Sequence, residues 1–193
     1  YSDWQTDVSF NFFDPYFNAD GVGLGYGAYI RSSDYSNFNI SAYNTESFGG
    51  SVQFVLPINE IEQLSLSASI DQTDLSSSAL SSRQLLDFIS TEGSKFESLT
   101  LGVTWSRNSL NRGLFPTAGT LNVMSGSVAV PGSSLTYGKL SHRFKYYRPL
   151  PSDFVFSIRT EVGGLFAYGD TETPPPYENF YAGGLNSVRG FEQ

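Results

Sequence analysis

The chain contains no cysteine. That excludes a disulfide framework, thiolate metal sites and a cysteine nucleophile. Charge is also scarce: Asp, Glu, Lys and Arg make up 16% of the 193 residues, against about 25% in ordinary soluble domains. Basic residues are the scarcer kind, 11 against 19 acidic, for a net charge of −8. A nucleic-acid binder carries a basic footprint, so that class is set aside. No run of about 18 apolar residues occurs, so no transmembrane helix is expected. An initiator methionine and a signal peptide are missing too. Tyr1 opens inside an alternating run, as expected of a segment cut from something longer. None of these absences excludes a membrane barrel. Its polar lumen keeps the average hydropathy low, and its spans show only as alternation.

What the chain has is aromatics, 16 Phe and 12 Tyr, and 19 Gly, arranged with a period of two. In Glu97 to Arg107, Leu99, Leu101, Val103 and Trp105 fall on one side of a strand and Ser98, Thr100, Gly102, Thr104 and Ser106 on the other. The same split places Val8, Phe10 and Phe12 opposite Asp7, Ser9 and Asn11. It places Leu24, Tyr26, Ala28 and Ile30 opposite Gly23, Gly25, Gly27 and Arg31. Phe48, Val52 and Phe54 oppose Gly49, Ser51 and Gln53; Leu64, Leu66, Ala68 and Ile70 oppose Ser65, Ser67, Ser69 and Asp71. Leu140, Phe144 and Tyr146 oppose Lys139, Ser141, Arg143 and Lys145; Phe156, Ile158 and Val162 oppose Ser157, Arg159 and Glu161. Thr120 to Val130 alternates poorly and is the weakest of the set. The expectation is about eight strands of ~9–13 residues, the length a tilted strand needs to cross a bilayer.

The connections differ in kind. Asp14–Gly21, Pro57–Gln63, Leu110–Gly119 and Arg148–Asp153 are compact and rich in turn residues. Those between are longer, the longest running from Leu75 to Lys95. Short turns at one end and long loops at the other are the habit of outer-membrane barrels. Within the longest loop, Leu85, Leu86, Phe88 and Ile89 recur at helical spacing and predict a short helix over 83–89, lying at the membrane interface. A soluble β-sandwich, such as a secreted adhesin, also alternates. Its strands are shorter and its polar faces carry more charge, so the barrel is preferred: an all-β fold, an antiparallel transmembrane barrel segment. Residues 1–168 form the strands, and 169–193 form a lumen-directed extracellular loop.

Motifs with chemical overtones mostly dissolve. Gly21 to Gly27 fails the dinucleotide fingerprint because Tyr26 occupies its sixth position. His142, the lone histidine, falls on the apolar face, without the partners that a triad or metal centre requires. Asp71 and Asp74, or Glu60 and Glu62, sit at strand ends or turns, where carboxylates are ordinary. The Asn39 glycosylation sequon has no meaning in a bacterial outer membrane. No catalytic or metal residue, no enzyme activity and no cofactor is expected.

The segments DPYFNADGVGLG, LPINEIEQL, LNRGLFPTAGT, VAVPGSS and PPYENFYAGGLNSVRGF follow one another along the chain. In kind and order they resemble the turns and loops of the BamA family, the outer-membrane assembly and secretion barrels of the POTRA-transporter superfamily. The resemblance covers the whole chain, and lies closer to the assembly branch than to a distant cousin. It implies a sixteen-stranded barrel of which this chain matches the fourth to eleventh strands, as an open curved half, plus part of the sixth extracellular loop. It implies that Val188, Arg189, Gly190 and Phe191 are the tip of a loop folded into the lumen. Gly183, Gly184, Phe180 and Tyr181 would support that loop. In the family the arginine's acidic contacts come from later strands, and Glu161 is a possible local substitute. The implied role is folding and inserting β-barrel proteins into the bacterial outer membrane. The implied partners are nascent barrel proteins, accessory lipoproteins, the bilayer and lipopolysaccharide. A two-partner secretion pore of the same superfamily is the alternative, and a passive porin is a third possibility.

Overall fold

A computed structural model describes residues 5–34, 43–77 and 81–180. Eight strands follow in chain order: β1 Gln5–Asp14, β2 Gly23–Asp34, β3 Tyr43–Asn59, β4 Glu62–Ser77, β5 Lys95–Asn108, β6 Gly119–Ala129, β7 Tyr137–Pro149 and β8 Val155–Ala167. Each pairs antiparallel with the next, in one sheet of order β1 to β8. The sheet is open among the described residues, with β1 and β8 as its edges.

The period-two split is the pleat of this sheet. The apolar side is bare: Phe10, Ile30, Ile70, Leu101, Leu140 and Val162 are all exposed. Cross-strand pairs hold it in register, such as Phe12 with Tyr26 at 5.1 Å between ring centroids. Tyr146 and Phe156 make an edge contact at 6.5 Å near the β7–β8 turn, in the manner of an interfacial aromatic girdle. The opposite side carries Gly, Ser and Thr and is where other parts of the chain pack. It faces inward along a curl. From β2 to β7 is five strand spacings, about 24 Å across a flat sheet. Yet Glu178, bonded to Lys139 of β7, acts electrostatically on Tyr29 of β2 and Asp71 of β4.

The turns are built by side chains. Asn18 Oδ1 accepts from the amides of Asp20 and Val22 at 3.0 and 2.9 Å. Asn111 accepts from the amides of Thr117 and Ala118 and donates to Thr117 Oγ1 at 2.8 Å, clasping the β5–β6 turn. In that turn Gly119 has φ +106°, and a Cβ there would lie 2.2 Å from the Ser109 carbonyl oxygen, so only glycine fits.

Three expectations need correction. Strands β3 and β4, 17 and 16 residues long, exceed the expected length. Their loop-side ends run on past the apolar belt. The turn expected over Pro57–Gln63 is tighter: Pro57 stays in β3 opposite Gln63, with a register irregularity before Asn59 opposite Glu62. The predicted helix, α1 Arg83–Glu92, does not lie at the membrane interface. Ser82 caps it, its hydroxyl accepting from Leu85 N at 3.3 Å, and Gly93 ends it by donating to Ile89 O. Its apolar residues Leu85 and Phe88 are buried with Tyr43, Leu75, Phe96 and Tyr137 on the inward side of the sheet. The weakly alternating segment is a strand, β6. Its inward side carries Leu121 and Val123, paired with Lys145 and Arg143, which is why its two faces read alike.

Candidate functional site

The inward face at the loop end of the sheet is where the chain gathers its buried side chains. After β8 the backbone is tied back at once. Thr136 Oγ1 donates to the Tyr168 carbonyl, Tyr168 Oη donates to the Ala129 carbonyl, and Thr136 N donates to Thr171 Oγ1 at 2.8 Å. Glu172 N then donates to Glu92 Oε1 of α1 at 3.2 Å. These bonds steer residues 168–180 across the sheet beside the helix. The Pro-rich stretch that follows sets this path: Pro175 is fully buried, and Pro176–Glu178 form a single 3-10 turn.

That turn places three side chains on the wall. Tyr177 stacks on Phe96, ring centroids 6.0 Å apart, and Phe96 in turn meets Phe88 of α1 at 5.6 Å. Glu178 Oε2 accepts from Lys139 Nζ at 2.8 Å, with both side chains about two-thirds buried. Phe180 lies on β8 where Gly163 leaves space; a Cβ at Gly163 would sit 2.4 Å from the Phe180 ring. Lys139 Nζ is 4.9 Å from the same ring centroid, a cation–π distance. The Tyr177 hydroxyl is buried with no hydrogen-bond partner among the described residues. Burial, with the charges of Tyr137, Glu178 and Asp71 behind it, raises its pKa above the ordinary tyrosine range.

Of the site residues expected from sequence, Phe180 and Glu161 are placed here. Tyr181, Gly183, Gly184, Val188, Arg189, Gly190 and Phe191 lie outside the described residues. Glu161 does face inward, but it is bonded to Arg143 Nη2 at 2.8 Å. Asp71, also inward, has no cation in contact among the described residues, and the charge of Glu178 acts on it. Asp74, set beside it in the sequence, points to the other side and pairs with Lys95 at 3.3 Å. Sequence reasoning missed Lys139, Tyr177 and Glu178. The one signal was an acid between two aromatics, Tyr177-Glu178-Asn179-Phe180, at the end of a proline run.

A curled antiparallel sheet with a bare greasy outer face, and an inner face partly filled by its own helix and loop, is the wall of an outer-membrane β-barrel. The particular lineage follows from comparison: the chain belongs to the Omp85 superfamily, whose domain matches residues 1–193. It is 34% identical over 194 residues to the outer membrane protein assembly factor BamA of Neisseria meningitidis serogroup B, covering 95% of this chain and 24% of that protein. To the BamA of Nitratidesulfovibrio vulgaris it is 24% identical over 185 residues, covering 94% and 22%. The crystal structure of BamA from Haemophilus ducreyi lacking POTRA domains 1–3 matches with a TM-score of 0.88 at 26% identity, over 97% of this chain and 38% of that one. The chain therefore spans about a quarter of the length of these curated relatives.

Proposed function

We propose that this chain is part of the barrel of an assembly factor that folds and inserts β-barrel proteins into the bacterial outer membrane. The observation that carries this is the match of nearly the whole chain, 95% in sequence and 97% in fold, to proteins named as that factor. The physics of the task needs no bond chemistry. An incoming strand has backbone donors and acceptors that lipid cannot satisfy, and a barrel whose seam opens offers an edge on which such strands can pair. The chain supplies wall away from that seam and the start of the loop that braces the lumen. Nascent barrel proteins, accessory lipoproteins, the bilayer and lipopolysaccharide are its proposed partners.

In this reading the loop continues from the anchored Phe180 to a tip of Val188, Arg189, Gly190 and Phe191. Tyr181, Gly183 and Gly184 let it turn and pack. An arginine brought into a lumen needs a carboxylate, because an unpaired buried charge is costly. Glu161 is occupied by Arg143, which favours Asp71 as the local acceptor. The test is reconstitution. Full-length protein in liposomes is expected to speed the folding of a substrate barrel, Arg189→Ala to slow it, and residues 1–193 alone to have no effect. Full-length protein without effect on substrate folding would overturn the assignment.

A further inference from the structure

Below the anchored loop, the inward side of β7 and β8 carries two adjoining rows of charge. Arg143 stands directly opposite Glu161, and Lys145 directly opposite Arg159. The first row is a satisfied ion pair. The second sets two cations face to face, where Cβ atoms are about 4.5–5.5 Å apart and like charges destabilise a sheet. Glu161, whose field reaches both, is already bonded to Arg143. Nothing on β6 compensates: its partners for Lys145 and Arg143 are Leu121 and Val123. The rows above and below, Ser141 with Gly163 and Tyr147 with Ser157, are neutral. Within these two rows, and among the described residues, three cations thus share one anion, in a chain with 19 acidic and 11 basic residues. A glutamate at either position of the second row would have made a favourable pair. Solvation in a lumen would tolerate this arrangement without explaining why stability is forgone here.

We propose that Arg143, Lys145 and Arg159 form a docking surface for the carboxylates of an extended acidic polypeptide segment lying along the lumen wall. The geometry favours a chain over a small ion. The patch is an open face, not a cage. Arg143 and Lys145 are two residues apart on one strand, roughly 6.6–6.8 Å, which is also the spacing of every second side chain on an extended peptide. The proposal rests on this face lining a lumen and does not depend on assembly activity.

The test uses the full-length protein in detergent and a short fluorescent peptide of alternating serine and glutamate, with binding read by anisotropy. Lys145→Gln and Arg159→Gln are each expected to weaken binding roughly tenfold, as for loss of one charge-assisted contact. A serine–glutamine peptide is expected to bind poorly to the unaltered protein. Lys145→Glu is the decisive variant, because it replaces a repulsive cross-strand pair with an attractive one. It is expected to lose peptide binding while raising the temperature at which the barrel unfolds on a gel. The proposal is overturned if Lys145→Glu binds the peptide unchanged, if the glutamine peptide binds as tightly as the acidic one, or if inorganic phosphate binds the patch and the peptide does not.

Discussion

Tyr177 shows how much a single buried atom decides. Its hydroxyl is out of reach of water and has no partner among the described residues. Such a group costs about 1–3 kcal/mol. Tyr177→Phe is therefore expected to stabilise the folded barrel by about 1 kcal/mol at neutral pH, measured by thermal unfolding in detergent. The same residue confers a pH dependence. Its folded-state pKa lies above the unfolded value of about 10. The stability linked to its neutral form is complete below that unfolded value and falls as pH rises beyond it. The advantage of Tyr177→Phe should thus widen above about pH 10; a constant gap would refute the burial argument. Gly163 is the complementary case, an absent side chain that makes room for a present one. Gly163→Val would drive its Cβ into the Phe180 ring and is expected to release residues 176–180, read as new protease sensitivity after Phe180.

Helix α1 is the element whose placement matters most. Its spacing of Leu85, Phe88 and Ile89 promised an apolar stripe, and the stripe exists. What it covers is the inward face of β3, β4 and β5 at the loop end of the sheet. Burial of Leu85 and Phe88 contributes about 1.5–3 kcal/mol each. The double variant Leu85→Ala, Phe88→Ala is expected to leave the strands intact while exposing the helix. Hydrogen exchange over 83–92 should then rise well above that of β4 and β5. Unchanged exchange there would mean that the helix is held by other contacts. The strands were legible because alternation along each is a local property. The helix's partner was not, because a greasy stripe has the same sequence whether it lies on lipid or on Phe96.

At the scale of the molecule, the bare outer face is the claim with the widest consequence. Leu101 lies on it, exposed and mid-strand, whereas Thr104 lies on the inner face. Leu101→Arg is expected to destabilise the barrel in bilayers by about 2–4 kcal/mol, and Thr104→Arg by much less. Folding titrations into lipid vesicles would measure both. Equal penalties would contradict a hydrocarbon-facing belt. The lumen is less uniform than its Gly and Ser content suggested. Its loop end is partly filled by α1 and residues 168–180, while lower down it carries paired charge and, among the described residues, unpaired charge.

The sequence by itself determined the strands, their two faces, the turn chemistry and the family, because a pleat, a turn and a motif each depend on residues a few positions apart. Only the tertiary structure decided which carboxylate meets which cation. Glu161 went to Arg143 across one strand gap, Glu178 reached Lys139 from a loop 39 residues on, and Asp71 was left without a cation among the described residues. Such pairings depend on the register between strands and on the curl that brings β2 toward β7, which no single segment encodes.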